Sequence, residues 1–321
     1  MAALRVVRAA ALQDLPADQP HWLIEPLWGA SAVGLIGGAP KSGKTFLALE
    51  LAVAVASGRP CLGRFPVPSP GPVLVLAAED SPHQVKRRIQ GIAHARGADF
   101  TALDVRLILD TALRLDRPQD LHRLHLTLAS QRPKLLILDP FVRLQRADEN
   151  DARQVAAILA ALRELARTFN AAVLLVHHAR KSAAAVPGQA LRGSGDFWAW
   201  GDSNLYLSGR PNRLRLTVEH RAAPPPAPLS LQLLATDHPR AGQPPLVRLE
   251  LQDHPELSEF RDPDDAPAPP PTAITLAERI VAHLRSTGPT THRALRATLR
   301  VRDQSLSAAL RALETLSLIH I

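Results

Sequence analysis

Cysteine is nearly absent. Cys61 stands alone in 321 residues, so no disulfide framework and no cysteine-built metal site can form within the chain, and a reducing compartment suits it. Also missing is any run approaching the roughly 18 apolar residues of a membrane span. The opening stretch is interrupted by Arg5 and Arg8 before a signal-type apolar core develops. Neither membrane insertion nor export is expected, and the reading is cytoplasmic. Acidic residues fall short of basic ones, 30 against 38, which leaves a net charge of +8. That excess suits a polyanionic partner, but it is equally what a GC-rich coding sequence, with its Ala, Arg and Pro, produces unaided; charge balance alone does not separate the two.

The length accommodates one large domain and a small appendage. Apolar runs at 32–37, 73–77, 105–109, 135–138 and 172–176 alternate with helical stretches, the pattern of a parallel sheet buried on both faces. Residues 45–57 are Ala- and Leu-rich and stop at Gly58, while 152–168 place Val155, Ile158, Leu162 and Leu165 on one helical face. The class is therefore α/β. Shorter runs at 205–207, 214–218, 229–234 and 247–251 predict antiparallel strands that finish the sheet.

Residues 262–271 (DPDDAPAPPP) have almost nothing to bury and read as an extended linker. The predicted organisation is a lead-in over 1–20, the main domain over 21–260, a Pro-rich linker over 261–273 and a helical domain over 274–321. In the last of these, helices at 275–286, 291–299 and 304–316 resemble a helix-turn-helix of winged type, which serves DNA or protein contacts alike. The final residues, LSLIHI, equal the translation of the end of a common transposase sequencing adapter, so the natural chain is expected to continue past this point.

Chemistry concentrates at the strand ends. Gly38-Ala39-Pro40-Lys41-Ser42-Gly43-Lys44-Thr45 fits G-x-x-x-x-G-K-[ST], after an apolar strand and before a helix, the context the motif requires. Backbone N–H groups of such a loop and the helix N-terminus cradle phosphates, Lys44 reaches the β- and γ-phosphates, and Thr45 offers its hydroxyl to Mg²⁺. ATP and Mg²⁺ are thus the expected ligands. The apolar run 135–138 ends in Asp139, as in a Walker B strand whose carboxylate holds the metal. The run through 74–78 ends in Glu79 and Asp80; Glu79 is the candidate general base that orients the attacking water, while Asp80 also reads as an acid at a helix start. His177 and His178 close the strand at 173–178, and His178 is the candidate phosphate sensor.

Taken in order, Trp22, GLIGGAPKSGKTF (34–46), LAAED, LLILDP, LLVHHARK and LRGS (191–194) resemble the RepA-like branch of the RecA/DnaB superfamily, hexameric replicative helicases counted among the AAA family ATPases. The resemblance covers roughly residues 20–221. It implies a RecA-like P-loop core, nucleotide and magnesium at Lys44 and Thr45, Glu79 as the catalytic acid, Asp139 as the Walker B acid and His178 as sensor. The plasmid helicase of that group carries a trans-acting arginine shortly after its RGS element, and here that place falls near Asp202. Residues 218–224 (VEHRAAP) instead resemble the strand on which DnaB-type helicases present an arginine finger, which would assign the role to Arg221. The loop 186–195 matches the place where RecA-type cores contact DNA, with Arg192 as its only basic residue.

The expectation is a homo-hexameric ATPase motor on single-stranded DNA in the replication of a plasmid, phage or mobile element, with a protein loader as a candidate partner and no membrane partner. Two other readings stay open: a non-translocating RecA/KaiC-type regulatory or recombination ATPase, and a DNA-binding module whose assembly nucleotide controls.

Overall fold

The computed structural model of the protein describes residues 6–11, 21–145, 152–178, 196–210, 212–237, 245–252 and 276–299, and positions 301, 306, 310 and 313. The linker 261–273, the loop 186–195 with Arg192, and LSLIHI lie outside the described residues. The chain divides into two compact units, Met1–Asp262 and Pro263–Ile321.

In the first unit, β1 (Trp22–Ile24) and β2 (Trp28–Gly29) form a small antiparallel ribbon. The main sheet has nine strands among the described residues. Its parallel part contains β3 (Val33–Gly38), β4 (Val73–Ala77), β5 (Val105–Leu107), β6 (Leu135–Asp139), β7 (Ala172–His178) and β8 (Ser203–Arg210). Across the sheet they run β8, β3, β7, β6, β4, β5. Antiparallel β9 (Arg213–His220), β10 (Leu229–Thr236) and β11 (Leu246–Leu251) extend the β8 side.

Residue alternation along each strand sorts the core into two layers. Ile36, Val75, Ile137 and Leu174 pack with α1 (Lys44–Ser57) and α2 (Pro82–Ala95). Leu35, Leu76, Leu138 and Leu175 pack with α3 (Pro118–Gln131), α4 (Ala152–Phe169) and α5 (Asp196–Trp200). The antiparallel strands contribute Leu214, Leu216, Leu231 and Leu249 to the first layer only, so they alternate where β3, β4, β6 and β7 give apolar residues to both layers. At Gly34 the β3 and β8 backbones approach so closely that a Cβ would lie 1.7 Å from the Ser203 carbonyl oxygen.

The α/β class and mainly parallel sheet expected from the sequence are present. Among the elements not anticipated are the ribbon β1–β2 and helix α3. The ribbon β1–β2 is too short for a periodic signal. Helix α3 hides its apolar stripe, Leu121, Leu124 and Leu128, among His, Arg, Gln and Thr, although Pro118 at its first turn and Asp120 just after are helix-start signals.

In the second unit, α6 (Leu276–Thr287) and α7 (His292–Leu299) enclose a small core with Ile280, Leu295 and Leu299. Leu306, Leu310 and Leu313, the described positions of the third expected helix, are helical and buried in the same core.

Candidate nucleotide site

The site grows out of the end of β3. At Gly38 an added Cβ would meet the Leu207 carbonyl oxygen at 2.4 Å and Ser42 Oγ at 2.9 Å, so only glycine turns the chain here. Ala39, Pro40 and Lys41 form an exposed arch, with Lys41 in the left-handed region at φ 63°. Ser42 N–H donates to the Ala39 carbonyl at 3.3 Å, and buried Ser42 Oγ has no protein hydrogen-bond partner among the described residues. Gly43 starts α1 at φ 87° with no side-chain cap. The first-turn amides of α1 are therefore not consumed by a capping side chain.

Lys44 Nζ donates to the carbonyls of Gly38 (3.0 Å) and Ala39 (2.7 Å). Burial pulls its pKa down to about 8 against the opposing charges of Asp139 and Glu79. Asp139 closes β6 and is buried. Burial pushes its pKa up to about 6, with Asp80 and Glu79 adding to the rise while a hydrogen bond from Thr45 and the charge of Lys44 oppose it. A threonine hydroxyl bonded to a buried carboxylate at the start of a phosphate loop is a set of hard oxygen donors, which fits Mg²⁺.

The two acids after β4 differ. Asp80 is gripped at both oxygens by Arg88, on α2, with Nη2–Oδ1 at 3.1 Å, and the Arg88 guanidinium lies 5.0 Å from the centre of the Phe46 ring. Among the described residues Glu79 accepts a single hydrogen bond, from Arg143 Nε at 2.8 Å, with its side chain 44% exposed. Fork binding fixes Asp80 in a supporting place, and Glu79 is left as the acid with an oxygen to spare.

The histidines separate as well. His178 pairs in register with Gly38, and His177 with Gly37. His178 is half-buried at the mouth of the phosphate loop, whereas His177 is buried and stacks on Phe197 at 4.3 Å between ring centres, with Phe141 edge-on to both rings. Phe141, Phe197 and Arg143 escaped the sequence reading; two aromatic residues flanking acid- and histidine-bearing strand ends were the available signal.

Arg221 sits at the far end of the sheet. Its N–H donates to the Asp202 carbonyl, and Asp202 lies five positions from Leu207, the register partner of Gly38. At 3.3 Å per residue that is about 16 Å from the phosphate loop of its own subunit. The Arg221 side chain pairs with Asp202 at 3.7 Å and donates to the Ala199 carbonyl. Asp202 is also held by Arg163 at 2.9 Å.

A parallel sheet with β7 standing between the phosphate-loop strand and the strand that bears Asp139, and with Thr45 bonded to that Asp, defines a RecA-type P-loop ATPase core. The chain belongs to the family AAA_25, an AAA domain, whose model matches residues 2–184. It is similar in structure to the RadB recombinase, at 18% identity over 64% of this chain and 88% of that one with a TM-score of 0.47. It is also similar to the ATPase domain of G40P, at 19% identity over 64% and 82% with the same score. Among the described residues, no helix is long and apolar enough to cross a membrane.

Proposed function

We propose that the chain is an ATP-hydrolysing motor of the RepA-like helicase group, assembled as a homo-hexameric ring on single-stranded DNA in replication of a plasmid, phage or mobile element. The observation that carries the hydrolytic part is the convergence of Lys44, the bonded pair Thr45–Asp139, and Glu79 on one phosphate loop. The loop 38–45 binds the phosphates through backbone N–H groups, and Lys44 exchanges its two carbonyl partners for the β- and γ-oxygens. Thr45 and Asp139 hold Mg²⁺, which when bound neutralises charge on the phosphates. Glu79 orients the attacking water and takes its proton. His178, paired across from Gly38, senses the γ-phosphate and passes its loss to the residues after β7. Arg221 completes the site of a neighbouring subunit, since the sheet keeps it from its own. Residues 186–195 with Arg192 supply the DNA contact, and the domain 274–321, winged-helix-like, docks DNA or a loader.

The ion pair of Arg221 with Asp202 favours one second reading, a non-translocating RecA/KaiC-type regulatory or recombination ATPase, because an arginine committed within its own subunit is a poor trans finger. ATP turnover with and without single-stranded DNA, together with strand displacement on a forked duplex, tests the proposal. Stimulated turnover with displacement supports the motor. Slow, unstimulated turnover without displacement supports the second reading.

A further inference from the structure

The carboxylate read above as the base is tied to a partner on another connector. Glu79 follows β4 and Arg143 follows β6, and these strands are neighbours with Ala77 paired to Asp139. The Ala78 N–H donates to the Asp139 carbonyl at 2.7 Å, so the two connectors leave the sheet side by side. Arg143 lies in a single 3₁₀ turn, Phe141–Leu144, whose ends are anchored: Phe141 and Leu144 are fully buried, and the Leu144 carbonyl accepts from Leu115 N–H at 2.6 Å. The backbone that carries Arg143 is therefore fixed while its side chain reaches out, 62% exposed, to Glu79.

The form of that contact matters. The Asp80–Arg88 fork occupies both carboxylate oxygens. Arg143 uses Nε on Oε1 alone, which leaves Oε2 without a protein hydrogen bond among the described residues and so open to a water. Another nearby cation is Lys44, which feels the charge of Glu79 through space. Without Arg143, the glutamate is drawn toward that ammonium, away from the water and onto the group the phosphates require.

We propose that Arg143 is the positioning residue of Glu79: it holds one carboxylate oxygen so that the other stands in line to take the proton of the attacking water. This rests on the reading of Glu79 as base. An exposed ion pair contributes little to folding, so its loss registers in the rate of chemistry rather than in melting.

The test uses the full chain in single-turnover hydrolysis, ATP titration and thermal melting, with Arg143→Ala, Arg143→Lys, Glu79→Gln and the double variant Arg143→Ala/Glu79→Gln. Arg143→Ala is expected to slow hydrolysis about tenfold at unchanged ATP affinity and melting temperature, the scale of a misaligned reacting group. Arg143→Lys recovers part of the rate, keeping the charge but not the planar donor. In the Glu79→Gln background, Arg143→Ala changes nothing further, because the group it positions is gone. Wild-type or faster hydrolysis by Arg143→Ala, when Glu79→Gln is slow, overturns the positioning role and leaves the base standing. The same tenfold loss in both backgrounds, or a loss matched by weaker ATP binding or lower melting, also overturns it. Normal hydrolysis by Glu79→Gln removes the base itself, and this inference with it.

Discussion

Single residues at this site set charge against burial. Lys44→Ala is expected to abolish tight ATP binding, since the ammonium is the main side-chain counter-charge to the β- and γ-phosphates; a nucleotide titration that matches wild type would contradict the site. The displaced pKa values give a second check. Lys44 titrates near 8 when folded, below its usual 10.5, so the unfolded chain binds more protons between those values and nucleotide-free stability rises across that window. Phosphate binding needs the ammonium, so ATP affinity declines above about pH 8. Asp139 titrates near 6 against a usual 3.8; here the folded state holds the extra proton, and stability falls as pH rises through that interval. Magnesium-dependent ATP affinity should drop below about pH 6, where the carboxylate is protonated. Asp139→Asn should remove that acid limb and most magnesium-dependent turnover while leaving the melting temperature near wild type at pH 7. A large fall in melting with normal kinetics would count against its role. Lys44, Thr45 and Asp139 were legible because their chemistry is written in contiguous sequence and strand context. Arg143 was not, because its meaning depends on Glu79, 64 positions away.

Elements are joined by polar ties that no local pattern discloses. Glu50 on α1 is fully buried and accepts from Arg96 Nε at 2.6 Å and from the Leu62 N–H at 2.8 Å. Arg96 also donates to the Leu249 carbonyl of β11 at 2.7 Å. One guanidinium thus binds α1, the end of α2 and the sheet edge together, which is why the antiparallel strands were readable as strands while their packing against α2 was not. Removing one partner of a buried pair strands the other charge, at a cost of about 3–5 kcal/mol. Arg96→Met should lower the melting temperature sharply, and adding Glu50→Gln should restore part of it; an additive loss in thermal melts would refute the tie. At the other end, His220 joins β9 to the ribbon. Its Nε2 lies 2.8 Å from the Pro26 carbonyl and must donate, so Nδ1 accepts from Ser203 Oγ at 3.1 Å, and Ser203 in turn accepts from the Gly29 N–H. Burial lowers the His220 pKa. The unfolded state therefore takes up the proton first, and the stability of this junction is complete above the usual histidine value near 6.5 and declines as pH falls. Protection of the amides over residues 22–30, the exchange rate taken relative to the intrinsic rate at each pH, should fall from pH 7 to pH 5. Unchanged protection would show that the ribbon does not depend on His220.

At the scale of the whole molecule, the main unit closes its own core by Asp262, so a chain ending there should bind ATP with wild-type affinity, as read by titration. Any change in response to single-stranded DNA then belongs to the helical unit. If the truncated chain loses ATP binding, the two units are not energetically separate. One contact has a consequence for how such a protein diversifies. His177, next to the last residue of β7, stacks on Phe197, the second residue of α5, so the described chain on either side of residues 179–195 is joined by this contact. Doubling the length of that stretch would cost only about 0.6 kcal/mol in closure entropy. On the proposed reading of residues 186–195 as the DNA contact, changes of length there leave the His177–Phe197 contact in place.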